Sequence, residues 1–135
     1  MCNSRTPGGG VFKGAGAQEE DLYRRTDLMR HTEQYLHGTT PYPLAGARQE
    51  GDHVAIVIKN VTILRGDCSQ GYPFLQIRQV IQVICLAAQS GPQLYDEGGV
   101  ACYSIVEEKL LMRLKIKLLL VAVAQSGCDA VVLSA

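Results

Sequence analysis

Three consecutive glycines follow a proline in the segment Pro7-Gly8-Gly9-Gly10, and seven residues separate them from the triplet Gln18-Glu19-Glu20. A glycine run cannot form the interior of a helix or strand, because each glycine loses the most backbone entropy on ordering and has no side chain to pack. It supplies instead a main chain free to take positive φ and to approach a ligand with no Cβ in between. Gly14 and Gly16 keep the chain loop-like, and a helical pattern starts near Ala17 and runs through QEEDLYRRTDLMRHTEQYL to Leu36. The acids of that pattern precede its bases, as the helix dipole favours. Glu20 with Arg24, and Asp21 with Arg25, stand at i,i+4 with the acid first, the better orientation. The chain therefore has to place a side-chain-free loop directly before a helix start that carries two adjacent carboxylates.

The rest of the chain punctuates itself. Gly38 to Pro43 ends the helical pattern. His53 to Ile58 reads as a strand, Lys59-Asn60 as a turn, and Val61 to Leu64 as its hairpin partner. Arg65 to Tyr72 is a loop. Val80 to Ala88 is rich in β-branched residues and reads as a buried strand, with a helix equally compatible with its periodicity. Gly91-Pro92 and Gly98-Gly99 mark another loop. Ser104 to Glu107 has the spacing of a capping box, followed by an apolar-periodic helix to Gln125 and by Gly127 in the position after a helix end. Ala130 to Leu133 reads as a buried strand. This order implies an α/β fold with a mixed sheet flanked by helices, in one domain spanning 1–135.

Charge narrows the function classes. Thirteen bases balance thirteen acids, which argues against direct DNA or RNA binding, or membrane capture, by bulk electrostatics. A nucleotide ligand would have to be held by local geometry. The five cysteines are scattered without a CxxC pair, a pattern of inert thiols in a reducing compartment. His31, His37 and His53 lack ligand-like spacing, so no metal is expected. The start MCNSRTPGGG has no apolar leader segment, and the most apolar stretch, Leu110 to Ala124, is interrupted by Arg113, Lys115 and Lys117. The expected address is intracellular, in the cytoplasm.

Adjacent helical residues project about 100° apart, so Glu19 and Glu20 cannot share one role. One can point into a cleft beside the glycine loop while the other reaches a neighbouring hydroxyl. A carboxylic acid suits glycoside chemistry, where it protonates a leaving oxygen. The loop amides offer donors to a phosphate or ribose. The same residues also fit a plain dipole-matched helix start. A Walker A loop is excluded because no Gly-Lys-Ser/Thr follows, and a dinucleotide fingerprint because no strand precedes. Tyr72-Pro73-Phe74 could offer a ring to adenine, although a turn with one core aromatic is the simpler reading. Cys68, beside Asp67, has no histidine near it in sequence to make it a nucleophile.

PGGGVFKGAGAQEEDLYRRTDL resembles the GGG-x(6–8)-QEE signature of microbial-type poly(ADP-ribose) glycohydrolases, with Asn3 before it and Arg24-Arg25-Thr26 after it. Weaker likenesses continue in order through Tyr42-Pro43, Ile63-Leu64-Arg65, Tyr72-Pro73-Phe74, Leu86-Ala87-Ala88 and Gly127 to Leu133. The resemblance implies a macrodomain that cleaves the ribose–ribose O-glycosidic bonds of poly(ADP-ribose), and no cofactor or metal. It would make Glu20 the acid that protonates the departing ribose oxygen and Glu19 the residue that orients the ribose hydroxyls. Gln18 would support the loop and sugar. Gly8, Gly9, Gly10 and Val11 would line the terminal ribose and its diphosphate, and Asn3 would touch the same ribose. The implied partners are ADP-ribose, its polymer and ADP-ribosylated proteins.

Against the family pattern both termini are short, with no strands ahead of Asn3 and no glycine- and phenylalanine-containing diphosphate loop after Leu133. The expected fold is thus a macrodomain incomplete at both ends, prone to self-association through open sheet edges. A non-catalytic ADP-ribose-binding module, or an interaction protein with the glycine loop as a linker, are the competing readings.

Overall fold

The computed structural model describes residues 6–35, 53–87, 89 and 91–133. Helix α1 covers Gln18–Arg25 and α2 Leu28–Thr32; strand β1 covers Ala55–Arg65, β2 Phe74–Leu86, β3 Leu94–Glu97 and β4 Val100–Tyr103; helix α3 covers Val106–Ser126. The strands form two antiparallel pairs, β1 with β2 and β3 with β4. The class is the expected α/β, with helices against a small sheet, and both sheets are antiparallel.

The helical run expected from Ala17 to Leu36 breaks after one element. Thr26 is extended (φ −127°, ψ 173°) and bridges to Ile63 of β1. Its hydroxyl donates to the Leu22 carbonyl at 2.8 Å and accepts from the Leu28 amide at 3.2 Å. Asp27 completes the stitch: its amide donates to the Thr62 carbonyl at 3.1 Å, and its carboxylate accepts from the Thr62 amide at 2.7 Å. Thr and Asp break a helix in this way because their side chains compete for backbone partners. The loop expected at Gly38 to Pro43 lies outside the described residues.

The hairpin expected within 53–64 does not form. Lys59-Asn60 is a bulge inside one continuous strand: Ile58 pairs with Val83 and Val61 with Ile81, so two residues of β1 oppose Gln82 alone. Asn60 takes φ 59°, a conformation its short polar side chain tolerates. The partner is β2, Phe74–Leu86, so the segment from Val80 to Leu86 is a strand that starts earlier than expected, while Ala88 lies outside the described residues. The connection closes through Asp67, whose carboxylate accepts from the Ser69 amide at 2.9 Å. The Ser69 hydroxyl and amide hold that carboxyl below its usual range.

Gly98-Gly99, expected as loop, is the two-residue turn of the β3–β4 hairpin, with φ 63° and 88°. The capping box at Ser104 is not made. Ile105 is the N-cap of α3 and has no side-chain bond, while the Ser104 amide closes back on the Gln93 carbonyl at 2.9 Å. Gly127 ends α3 at φ 72°, as its position suggested. The strand expected at Ala130 to Leu133 is absent: these residues are exposed and unpaired in any described sheet, and Val132 is 93% exposed. A strand needs a neighbour to satisfy its backbone, and none of the described strands lies beside this segment.

The core lies where α1 and α2 lean on the β1–β2 pair. Tyr23, Leu28, Ile58, Val61, Val83 and Cys85 are buried together, with Val11, Leu22, Met29, Ile56 and Ile81 packed around them. Helix α3 docks through a polar contact, the Lys115 ammonium donating to the Ala87 carbonyl at 2.8 Å, with Lys115 buried. No described helix is long and apolar enough to cross a membrane.

Candidate active site

Local chemistry folds the glycine run back over the start of α1. Gly8 and Gly9 take φ 72° and 49°, which only glycine adopts without strain. The Val11 amide donates to the Gly8 carbonyl at 3.0 Å, opening a 3-10 turn over Val11–Lys13, and the Ala15 amide returns to Gly10 at 3.2 Å. No side chain caps α1. Its first turn carries Glu19, Glu20 and Asp21, acids placed at the positive end of the helix dipole.

Both adjacent carboxylates reach the loop. The Gly8 amide donates to Glu19 Oε1 at 2.9 Å, and the Gly10 amide donates to Glu20 Oε1 at 2.8 Å. Glu20 is buried, and its second oxygen, Oε2, is enclosed with no hydrogen-bond partner among the described residues. A buried carboxylate oxygen without a donor is costly, and such groups persist where something else is to meet them. Arg24 does not pair with Glu20 as its spacing suggested: its guanidinium donates to the Ala15 carbonyl, so the base also grips the loop. The expected Asp21–Arg25 pair is present at 3.5 Å. The loop amides thus hold carboxylates and carbonyls rather than facing outward as phosphate donors.

The glycines are required by sterics as well. A Cβ on Gly8 would stand 3.0 Å from the Tyr23 ring, and one on Gly10 would stand 2.8 Å from the Ala15 Cβ. Tyr23 is held beneath the loop by donating its hydroxyl to Thr32 at 3.0 Å. Tyr23 stands three residues from Glu20, on the same face of α1, a spacing that points it to the loop. Tyr72 is a second residue that sequence reasoning undervalued. Its hydroxyl donates to Asp21 at 2.9 Å, tying the β1–β2 connection to α1. That bond is the main cause of the upward shift of its phenol.

Of the residues implicated by sequence, Gly8, Gly9, Gly10, Val11, Glu19 and Glu20 come together in this unit. Gln18 opens α1 with its side chain exposed. Asn3 lies outside the described residues. Neither aromatic of the Tyr72-Pro73-Phe74 turn, of which one was expected in the core, is buried: Tyr72 is half-buried, and Phe74 is 70% exposed and carries the Arg65 guanidinium 4.3 Å above its ring. Cys68 is exposed in the connection before β2. Among the described residues no three His, Cys, Asp or Glu side chains gather as metal ligands.

Residues 1–67 match the family described as microbial-type PARG, catalytic domain, where PARG denotes poly(ADP-ribose) glycohydrolase. No curated protein and no solved structure matches the chain significantly. The family match supports a glycohydrolase-type function in general. Residues 1–67, which hold the triple glycine and both loop-bound carboxylates, are thus similar to the microbial-type PARG catalytic domain over just under half of the chain.

Proposed function

We propose that this chain is an ADP-ribose glycohydrolase of macrodomain type, hydrolysing the ribose–ribose O-glycosidic bond of poly(ADP-ribose). The observation that carries the reading is the asymmetry of Glu20: Oε1 is fixed by the Gly10 amide, and Oε2 is buried and unpartnered among the described residues. An acid oriented through one oxygen gives the other a defined direction, as a proton donor to a departing ribose oxygen requires; because Oε2 is enclosed, the groups over it must move aside for the ribose to reach it. Glu19, tied to Gly8, is the orienting partner for the ribose hydroxyls. Gly8, Gly9, Gly10 and Val11 form the surface against the terminal ribose, with Gln18 and Asn3 as further sugar contacts. Water then attacks the anomeric carbon as the glycosidic bond breaks and Glu20 protonates the leaving oxygen; the proton that the attacking water loses passes through solvent and restores the Glu20 acid.

One observation favours a second reading. Both acids already brace the loop through one oxygen each, as they would in a module that only binds ADP-ribose. Incubation with poly(ADP-ribose), followed by chromatography of free ADP-ribose, separates the two. Release of ADP-ribose supports the hydrolase. Calorimetric binding of ADP-ribose without release assigns the binding module. Neither binding nor release rejects both.

A further inference from the structure

Helix α3 turns an unusual side outward. Its buried positions include Lys115 and Ala122, whereas Leu110, Leu114, Ile116, Leu120 and Val121 are exposed by 43 to 56%. Lys109, Arg113 and Lys117, also exposed, stand four residues apart. At 1.5 Å rise and 100° per residue they form one row roughly 12 Å long. Arg113 and Lys117 each lie two residues from Lys115, so the row runs along the side away from the sheet. None of the three takes part in a salt bridge among the described residues. The acids of the helix, Glu107 and Glu108, are confined to its first turn, and the Glu108 carboxylate is engaged by the Gln93 amide at 2.8 Å.

We infer that this outer face of α3 is a second contact for the polymer, in which the basic row meets diphosphates and the aliphatic flanks meet adenine faces. The inference rests on the glycohydrolase reading of the glycine loop and names the part of the substrate beyond the terminal unit. Charge selects the occupant. A second copy docked through this face would bring bases against bases. A lipid surface calls for apolar residues along the centre of the exposed face and bases at its margins; here the bases hold the centre between 109 and 117, and the exposed Val106 and Leu120 stand in line with them only at the two ends. A polyanion with alternating phosphate and ring groups matches a basic row with apolar borders. Two contacts on one chain also make the second binding event intramolecular, which raises affinity for long polymer over single units.

The test uses the full chain carrying Glu20→Gln, which keeps the polymer intact, with and without Lys109→Gln, Arg113→Gln and Lys117→Gln together. Binding of long poly(ADP-ribose) and of free ADP-ribose is measured by anisotropy across salt concentrations. The triple neutralisation should weaken polymer binding roughly tenfold or more, and flatten the slope of log K against log salt by about 2, as loss of three phosphate contacts on a single strand predicts. Free ADP-ribose binding should not change. Circular dichroism checks that α3 persists, and each single substitution should reduce the slope by about 0.7 even if the triple variant unfolds. Unchanged polymer binding in a folded variant overturns the inference. So does an RNA of equal phosphate number that binds the parent as tightly as the polymer. If free ADP-ribose binds neither protein, the loop reading fails, while the polymer comparison still decides the role of α3.

Discussion

Gly10 has no room for a methyl group and no freedom to move away, because its amide is the anchor of Glu20. Gly10→Ala should therefore shift the loop and misdirect the acid, lowering ADP-ribose release on the order of 100-fold, the scale of a 1 Å misplacement. Steady-state kinetics on polymer measures it, and ordinary turnover would show that the loop does not position Glu20. The triple glycine and paired acids were legible in sequence because their chemistry is local. The bonds between them were not, since nothing in residue order says whether a loop amide meets a phosphate or a carboxylate. Tyr72 offers a pH handle on the same unit. Its phenol is pushed up chiefly by its bond to Asp21. A folded value above the unfolded one means that the contribution is complete below about pH 10, the ordinary tyrosine range, and is lost as pH rises through the elevated value. Absorbance titration of tyrosinate should find one high phenol, and Asp21→Asn should bring it down.

Among the elements, the stitch at Thr26-Asp27 matters most for the site, since it fixes α1 against β1. Asp27→Ala leaves the Thr62 amide without its 2.7 Å partner and should cost about 1–3 kcal/mol, read as a lower midpoint in urea unfolding. Periodicity pointed to one long helix here because Thr26 and Asp27 are tolerated in helices; only the neighbouring strand makes the break favourable. Lys59-Asn60 misled in the same manner. The pair suits a turn, but β2 supplies a better partner for Val61 to Leu64, so the turn residues are absorbed as a bulge. Val131 to Leu133 had strand composition without a strand to pair with. Local signals that need no distant partner, such as Gly127 and the first turn of α1, are legible in the sequence.

At the scale of the molecule, the apolar surface is unevenly covered. Strand β2 is paired on one side by β1 and by no other described strand, and Phe74, Ile77 and Val80 are exposed by 65 to 84%. An apolar strand with an open edge is a template for association, so elution volume should fall with protein concentration, and Ile77→Lys should suppress that trend without lowering the unfolding midpoint. Concentration-independent elution would show that the edge is protected. Composition could not reveal this, because the apolar fraction is ordinary and only its placement is not. The central claim concerns a single oxygen atom, Glu20 Oε2, and Glu20→Gln tests it most directly: the amide keeps an acceptor for the Gly10 amide but has no acid proton to give. Initial rates of ADP-ribose release from polymer should fall by about 100-fold to 10,000-fold while ADP-ribose binding is retained; a variant that releases ADP-ribose as fast as the parent chain would contradict the account.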